Sequence, residues 1–98
     1  MLVVFADSFL ARIETDEAAK TKLPVVVIRS ARRKLTILRA APDERTLRGW
    51  KSLHYEKLKG DMDGSRSIRL NDQYRMTFVL NEEANLPTVT ITAIEDYH

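Results

Sequence analysis

The stretch SRSIRLNDQYRMTFVL, residues 65–80, decides the fold of this chain. Its first part, residues 65–70, is predicted to form a strand ending at Asn71-Asp72. We interpret this pair as a two-residue hairpin turn, because Asn and Asp both tolerate positive φ. The second strand, residues 73–80, alternates between an apolar and a more polar face: Tyr74, Met76, Phe78 and Leu80 against Arg75, Thr77 and Val79. The stretch therefore predicts an antiparallel hairpin with one face in the core.

Two helices are predicted ahead of the hairpin. A short one runs from Asp7 or Ser8, either of which is suited to cap it, to Glu14. A longer one covers residues 24–41, since Pro is tolerated at the first helical position and Pro42 cannot continue the helix. Its apolar residues follow the spacing of one helical face: Ile28, Ala31, Leu35 and Leu38.

Further strands complete the sheet. They are expected at residues 2–5, 56–59 and 88–95. A short helical turn follows Pro42 and ends at Gly49. This order predicts an α+β domain over residues 1–98, with two N-terminal helices packed on one face of a mainly antiparallel sheet of four to five strands. The other face is expected to be left for function.

Charge is unevenly distributed along the chain. The net charge is only +2, but residues 29–75 carry 13 Lys/Arg and six Asp/Glu, whereas residues 76–98 carry no Lys or Arg and four acids. A basic middle suits contact with phosphates, although a solvated mixed-charge surface would have the same composition. The first ten residues do not resemble a signal peptide, and no apolar run approaches the roughly 20 residues of a membrane span. We therefore predict a cytoplasmic protein that does not contact a membrane.

Several kinds of site are excluded by the residue types present. Three scattered glycines cannot form a Gly-rich phosphate loop. Two histidines, His54 and His98, cannot build a spaced metal motif without cysteine or further histidines. No Ser-His-Asp arrangement can be recognised in the sequence. We therefore expect neither a metal nor a cofactor.

What remains is a group of basic strand residues and a polar ending. Arg75 lies on the non-core face of its strand, Lys57 and Lys59 share one strand face, and the last residues are Asp96-Tyr97-His98. Each also has a structural interpretation: a solvated arginine, edge-strand lysines that prevent aggregation, and a frayed tail. Together they fit metal-free RNA cleavage, in which a 2′-hydroxyl attacks the adjacent phosphate. Arg and Lys stabilise the charge on phosphorus, while His, Asp or Tyr transfers the protons.

Three segments, in this order, resemble the HigB toxins of the RelE-like superfamily. They are Leu58-Lys59-Gly60-Asp61, the run Ser67-Ile68-Arg69-Leu70-Asn71-Asp72-Gln73-Tyr74-Arg75-Met76-Thr77-Phe78, and the ending Asp96-Tyr97-His98. The resemblance covers residues 58–98 through these motifs, and the helical half through the length and order of its elements. It implies a RelE-like fold.

The resemblance also implies an activity and partners. HigB toxins are endoribonucleases that cut mRNA in the ribosomal A site without a metal and so inhibit translation. A helix-turn-helix antitoxin, HigA, neutralises them, and the complex binds its operator DNA mostly through the antitoxin. Carried over by position, Lys59 and Arg75 would hold the scissile phosphate, with acid-base and positioning groups supplied by Asp96, Tyr97 and His98. Additional RNA contacts are expected from Lys57, Arg66 and Arg69.

The chain departs from the HigB pattern at two places. Many HigB proteins have His-Pro directly before Leu-Lys-Gly-Asp, whereas here Tyr55-Glu56-Lys57 separates His54 from Leu58. An offset of two strand residues moves the ring about 6.6 Å along the strand, which is beyond hydrogen-bond reach of the original target. His54 is therefore only a secondary catalytic candidate, and Lys57 is expected to replace it in part. Arg66 stands where an aromatic residue often precedes Ser-Ile and adds charge there.

Two other interpretations stay open. The same fold carries gyrase inhibitors, so the chain fits a binding protein without cleavage activity, held by an antitoxin as a co-repressor. An unrelated small α+β RNA-binding domain fits the basic middle as well.

Overall fold

A five-stranded sheet organises the fold. The computed structural model describes residues 1–58, 64–83 and 85–96. Within them the sheet order is β1-β5-β4-β3-β2, with β1 and β5 parallel and the other neighbours antiparallel. The strands are β1 Leu2–Phe5, β2 Glu56–Lys57, β3 Ser65–Arg69, β4 Tyr74–Asn81 and β5 Thr88–Asp96. The helices are α1 Ser8–Ala11, α2 Val25–Ala40 and α3 Glu44–Gly49, with 3₁₀ turns at Arg12–Glu14, Ala18–Thr21 and Lys51–Leu53. The predicted α+β architecture with a mainly antiparallel sheet is confirmed.

Helix α2 covers one face of the sheet. Pro24 precedes its first residue and accepts hydrogen bonds from the N–H groups of Val27 and Ile28, both at 3.0 Å. The predicted apolar face is buried as expected and shares one core with residues of three strands: Ile28, Ala31, Leu35 and Leu38 with Ile68, Met76, Phe78, Val89 and Ile91. Ser30 Oγ donates to the Leu70 carbonyl at 2.6 Å, which ties the helix to the end of β3.

The two short helices begin at side-chain caps. Asp7 accepts a hydrogen bond from the Leu10 N–H at 2.8 Å and starts α1. Asp43 accepts one from the Thr46 N–H at 2.9 Å and starts α3. The helix predicted up to Glu14 is α-helical only over Ser8–Ala11 and continues as a tighter 3₁₀ turn.

The hairpin turn differs from the two-residue turn predicted at Asn71-Asp72. Arg69 pairs with Arg75, and the Leu70 N–H donates to the Tyr74 carbonyl at 2.9 Å, so three residues, 71–73, connect the strands. Neither Asn71 nor Asp72 has a positive φ. Instead Asn71 Oδ1 accepts hydrogen bonds from the N–H groups of Gln73 and Tyr74, at 2.9 and 2.7 Å. An Asx turn therefore replaces the expected two-residue turn.

A bulge interrupts the alternation of β5. Thr77 pairs with Ala93 and Phe78 with Ile91, so Thr92 has no partner in the register. Thr92 Oγ1 donates to the Thr77 carbonyl at 3.1 Å. Because of this extra residue, Ile91 and Ile94 both contact the core although they are three positions apart.

Strand β2 lies at the edge of the sheet next to β3. It spans Glu56–Lys57, and the Leu58 N–H extends the pairing by donating to the Ser65 carbonyl at 2.9 Å. The strand was predicted over residues 56–59, and its last residue lies outside the described part of the chain. Across residues 1–58, 64–83 and 85–96, no helix combines the length and apolar character needed to cross a membrane.

Candidate functional site

The sheet face opposite the helices carries a pair of arginines. Strand alternation and register place Arg69 and Arg75 directly opposite each other on this open face, with Ser67 and Thr77 as the next pair. Like charges at directly opposed positions destabilise a sheet, because their side chains are close. The pair concentrates positive charge on this face, and Glu95 lies opposite Arg75 on its other side, on β5.

Arg75 is fixed by acceptors on β3 and on the segment before β2. Its Nε donates to Ser67 Oγ at 3.0 Å, and its Nη2 donates to the His54 carbonyl at 2.5 Å and to the Ser67 carbonyl at 3.3 Å. The Glu56 carboxylate lies 3.8 Å from the same nitrogen. Only 11% of the Arg75 side chain is exposed. A guanidinium held this rigidly is preorganised for an anion and needs little rearrangement on binding.

Arg69 is the more exposed member of the pair. Its Nη1 lies 3.5 Å from His54 Nε2, its Nε donates to the Asn71 carbonyl at 3.2 Å, and its Nη2 contacts the Asp72 carboxylate. The Asp72 side chain is 93% exposed, so this ion pair is screened by solvent and contributes little to stability. Arg69 can therefore exchange this partner for another anion at small cost.

His54 adopts a left-handed conformation, with φ 47° and ψ 51°. It follows the 3₁₀ turn Lys51–Leu53, and its N–H donates to the Lys51 carbonyl at 3.1 Å. Left-handed residues other than glycine are uncommon and often lie at functional sites. The expected displacement of the ring assumed an extended strand from His54 onward, and that assumption is wrong. The bend brings the His54 ring to Arg69 and its carbonyl to Arg75.

Asp96 ends β5 at the same end of the sheet. It pairs with Tyr74, and its Oδ2 accepts a hydrogen bond from Gln73 Nε2 at 2.8 Å. By strand alternation Asp96 lies on the face of Tyr74, opposite to that of Arg75. The predicted site residues Lys59, Tyr97 and His98 lie outside the described residues.

Two of the expected RNA-binding residues lie away from this cluster. Lys57 pairs with Arg66, and both lie on the helix-packed side of the sheet, in alternation with Glu56 and Ser67. Lys57 is exposed, whereas Arg66 contacts the carboxylate of Glu44 and is 16% exposed at its side chain. The structure therefore brings His54, Arg69 and Arg75 together but not Arg66.

Sequence reasoning missed Ser67, the hydroxyl acceptor that holds Arg75. The correct hairpin register would have identified it, because a three-residue turn places Ser67 two positions from the Arg69–Arg75 pair on the same face. Glu56 was also missed, since its carboxylate approaches Arg75 only through the register of β2 with β3.

Positive charge extends from this cluster onto α2. Burial lowers the pKa of Lys34, and the nearby positive charges of Arg33 and Arg69 lower it further. Arg33, Lys34 and Arg69 therefore form a small basic group that joins α2 to the cluster. Clustered positive charge attracts polyanions and raises their rate of association.

Comparison with known proteins gives the family. The chain matches, over residues 3–97, the family model described as the RelE-like toxin of the type II toxin-antitoxin system HigB. It is 36% identical to Toxin HigB-1 of Vibrio cholerae over 78 residues, which cover 80% of this chain and 82% of that protein.

Solved structures share the fold at low sequence identity. YafQ from E. coli strain BL21(DE3) superposes with a TM-score of 0.67 at 10% identity, covering 97% of this chain and 91% of YafQ. The toxin-antitoxin complex of YoeB and YefM from Staphylococcus aureus gives a TM-score of 0.57 at 17% identity, covering 100% of this chain and 98% of its own. Family model, sequence identity and fold agree, and the chain belongs to the HigB family of RelE-like toxins of type II toxin–antitoxin systems.

Proposed function

We propose that this HigB-family toxin is a ribosome-dependent mRNA endonuclease that cuts mRNA in the A site and so inhibits translation. The observation that carries the proposal is the Arg69–Arg75 pair on the open face of the sheet, with His54 beside it. Two guanidinium groups at directly opposed positions suit the non-bridging oxygens of one phosphate. The proposal places the scissile phosphate over this pair.

The proposed reaction needs no metal. The 2′-oxygen bonds to phosphorus while the bond from phosphorus to the 5′-oxygen breaks. A base takes the 2′-hydroxyl proton and an acid gives one to the 5′-oxygen, which leaves a 2′,3′-cyclic phosphate and a 5′-hydroxyl. Arg75 stabilises the negative charge that develops on the phosphate. The family resemblance assigns Lys59 to the same phosphate.

Proton transfer is proposed for the end of the chain. The resemblance assigns acid-base and positioning roles to Asp96, Tyr97 and His98. Asp96 lies at the end of β5, and Arg75 pairs with Glu95, the residue before it. Asp96 itself lies on the opposite face, so its proposed role rests on the resemblance alone. The His54 ring, held 3.5 Å from Arg69, is a second candidate for transferring a proton.

The proposed partners follow from the family. A HigA-like helix-turn-helix antitoxin would neutralise the toxin in the cytoplasm, and the complex would bind operator DNA through the antitoxin. The structural likeness to YoeB in its complex with YefM supports an antitoxin partner. The ribosome and its mRNA are the proposed targets.

Expression with and without the adjacent antitoxin gene, followed by mapping of mRNA 5′ ends, tests the proposal. New 5′ ends within translated codons are expected only without antitoxin. Arg75→Lys keeps the charge but loses the planar fork, so we expect cleavage to fall about 10- to 100-fold. Arg45→Lys, at an exposed position of α3, is the matched control and should cut like the wild type. Intact messages with a DNA-damage response would instead favour a gyrase-inhibitor-like binding protein.

A further inference from the structure

A buried carboxylate joins three elements on the helix-packed side of the sheet. Glu44, the first residue of α3, is only 9% exposed. Its Oε2 accepts hydrogen bonds from the Tyr55 hydroxyl and from Arg66 Nε, the latter at 2.9 Å, and Arg66 Nε also lies 3.2 Å from the Tyr55 oxygen. We call Glu44, Tyr55 and Arg66 the clamp. It links α3 to the segment before β2 and to β3.

The clamp is charged at neutral pH. Burial raises the pKa of Glu44, but hydrogen bonds from Tyr55 and Arg66 and the positive charges of Arg66 and Arg48 outweigh it, so the pKa lies below its ordinary value. Burial and the hydrogen bond to the Glu44 carboxylate raise the pKa of the Tyr55 hydroxyl, which stays protonated. Removing one member of such a buried arrangement leaves the others unsatisfied. The three side chains therefore act as a unit.

The clamp residues alternate with the groups that hold Arg75. Tyr55 lies between His54, whose carbonyl accepts from Arg75 at 2.5 Å, and Glu56, whose carboxylate is 3.8 Å from Arg75. Arg66 lies beside Ser67, whose hydroxyl accepts from Arg75 at 3.0 Å. Successive strand residues point to opposite faces. Both backbone segments that hold Arg75 are therefore anchored from behind by the clamp.

The Tyr55 ring adds a second anchor in the core. It packs edge-on against Phe78, with 6.2 Å between ring centroids and an interplanar angle of 62°. This packing does not depend on the hydroxyl. Removing the hydroxyl alone therefore tests the hydrogen bonds of the clamp while the packing of the ring is kept.

The two positions at which the sequence departs from the HigB pattern meet in this clamp. Tyr55 belongs to the segment that separates His54 from Leu58, and Arg66 stands where an aromatic residue is typical. Arg66 Nε lies within hydrogen-bond distance of the Tyr55 hydroxyl, so each departure supplies a partner for the other.

We propose that Glu44, Tyr55 and Arg66 are positioning residues that hold Arg75 and His54 in cleavage geometry from the opposite face of the sheet. This inference rests on the proposed endonuclease function. Arg66 and the Glu44 carboxylate lie behind the open face, so their effect on an RNA bound there would pass through Arg75 and His54.

Single-turnover cleavage of mRNA on programmed ribosomes tests the clamp with Tyr55→Phe and Glu44→Gln. We expect the maximal cleavage rate to fall about 10- to 100-fold, the range for small misplacements of catalytic groups. The half-saturating toxin concentration should stay within about twofold, because RNA contacts on the open face remain. Arg48→Gln is the matched control. Arg48 Nη2 donates to the other oxygen of Glu44 at 3.1 Å, but its side chain is 50% exposed and is not adjacent to a group that holds Arg75.

The ¹H–¹⁵N signal of Arg75 Nε gives a readout that does not depend on activity. In Tyr55→Phe and Glu44→Gln we expect this signal to shift and broaden as the bond to Ser67 loosens, and in Arg48→Gln we expect it to stay in place. An unchanged Arg75 signal in folded Tyr55→Phe protein would overturn the clamp, as would equal rate losses in Arg48→Gln and Glu44→Gln. A wild type that cleaves nothing would contradict the proposed function instead, while the Arg75 signal would still decide on the clamp.

Discussion

At the scale of single residues, the structure separates arginines on the open face of the sheet from an arginine on its helix-packed side. Arg75 and Arg69 lie on the open face, whereas Arg66, similar in sequence context, lies behind the sheet with Glu44. Strand alternation separates Arg66 from Arg69, because the two residues are three positions apart. It could not identify Glu44 as the partner of Arg66, because the two residues are 22 positions apart in the sequence.

The lowered pKa of Glu44 predicts a pH dependence of stability. A carboxyl whose pKa is lower in the folded than in the unfolded chain contributes stability that is fully present above the unfolded value, here 4.5, and is lost as pH falls through the folded value. At neutral pH we expect Glu44→Gln to lower the free energy of unfolding by about 1–3 kcal/mol.

Urea unfolding of both proteins from pH 7 to pH 3 measures this effect. The difference between wild type and Glu44→Gln should shrink as pH falls below about 4.5. Glu14, whose pKa is lowered mainly by a hydrogen bond from Arg39, and Asp43, whose pKa is lowered mainly by the Thr46 N–H, are present in both proteins and cancel. A difference in the free energy of unfolding that stays constant down to pH 3 would show that the charge of Glu44 does not contribute to stability.

At the scale of elements, the β3–β4 hairpin shows what sequence alone could and could not predict. Both strands and their apolar face were predicted, because alternation is a local signal. The predicted turn was one residue too short. A two-residue turn would have paired Ile68 with Arg75 on one face, whereas the observed register pairs Ile68 with Met76 in the core. Only a turn with an odd number of residues places the apolar faces of both strands on the same side of the sheet.

The Asx turn at Asn71 should contribute measurably to hairpin stability. Its side chain accepts two backbone hydrogen bonds, so Asn71→Ala is expected to lower the free energy of unfolding by about 1 kcal/mol. For a chain of this size that is a decrease of about 4–8 °C in Tm. Asp72→Ala removes only an exposed ion pair and should change stability by less than about 0.5 kcal/mol. Equal effects of the two substitutions would argue against the Asx turn.

At the scale of the whole molecule, the fold brings Arg33 and Lys34 of α2 and Arg69 of β3 into one basic region. Lys34 on α2 and Arg69 on β3 are far apart in sequence but close enough to influence each other electrostatically. The family and the fold class could be predicted from motifs and element order. The proximity of Lys34 to Arg69 could not be predicted, because it depends on the packing of α2 against the end of β3.

Removing positive charge from this region should weaken binding to the ribosome. It should also reduce the dependence of that binding on salt concentration. Arg33→Gln/Lys34→Gln removes two charges beside Arg69, and we expect the slope of log K against log salt to fall by about 0.7–0.9 per lost phosphate contact. Lys20→Gln/Lys22→Gln is the control with the same charge change. Its two lysines lie in and directly after the 3₁₀ turn Ala18–Thr21, which precedes α2. Equal slopes for the two double variants would contradict a localised positive region.

The central claim is that the open face around Arg75 cleaves ribosome-bound mRNA through the 2′-hydroxyl. Its most direct test is the chemistry of the RNA ends made by purified protein on programmed ribosomes, compared with free mRNA and with Arg75→Lys. We predict a 2′,3′-cyclic phosphate and a 5′-hydroxyl at an A-site codon on the ribosome, no cuts in free mRNA, and a large loss in Arg75→Lys. Uncut mRNA, or a 5′-phosphate at the cut, would contradict the proposed chemistry.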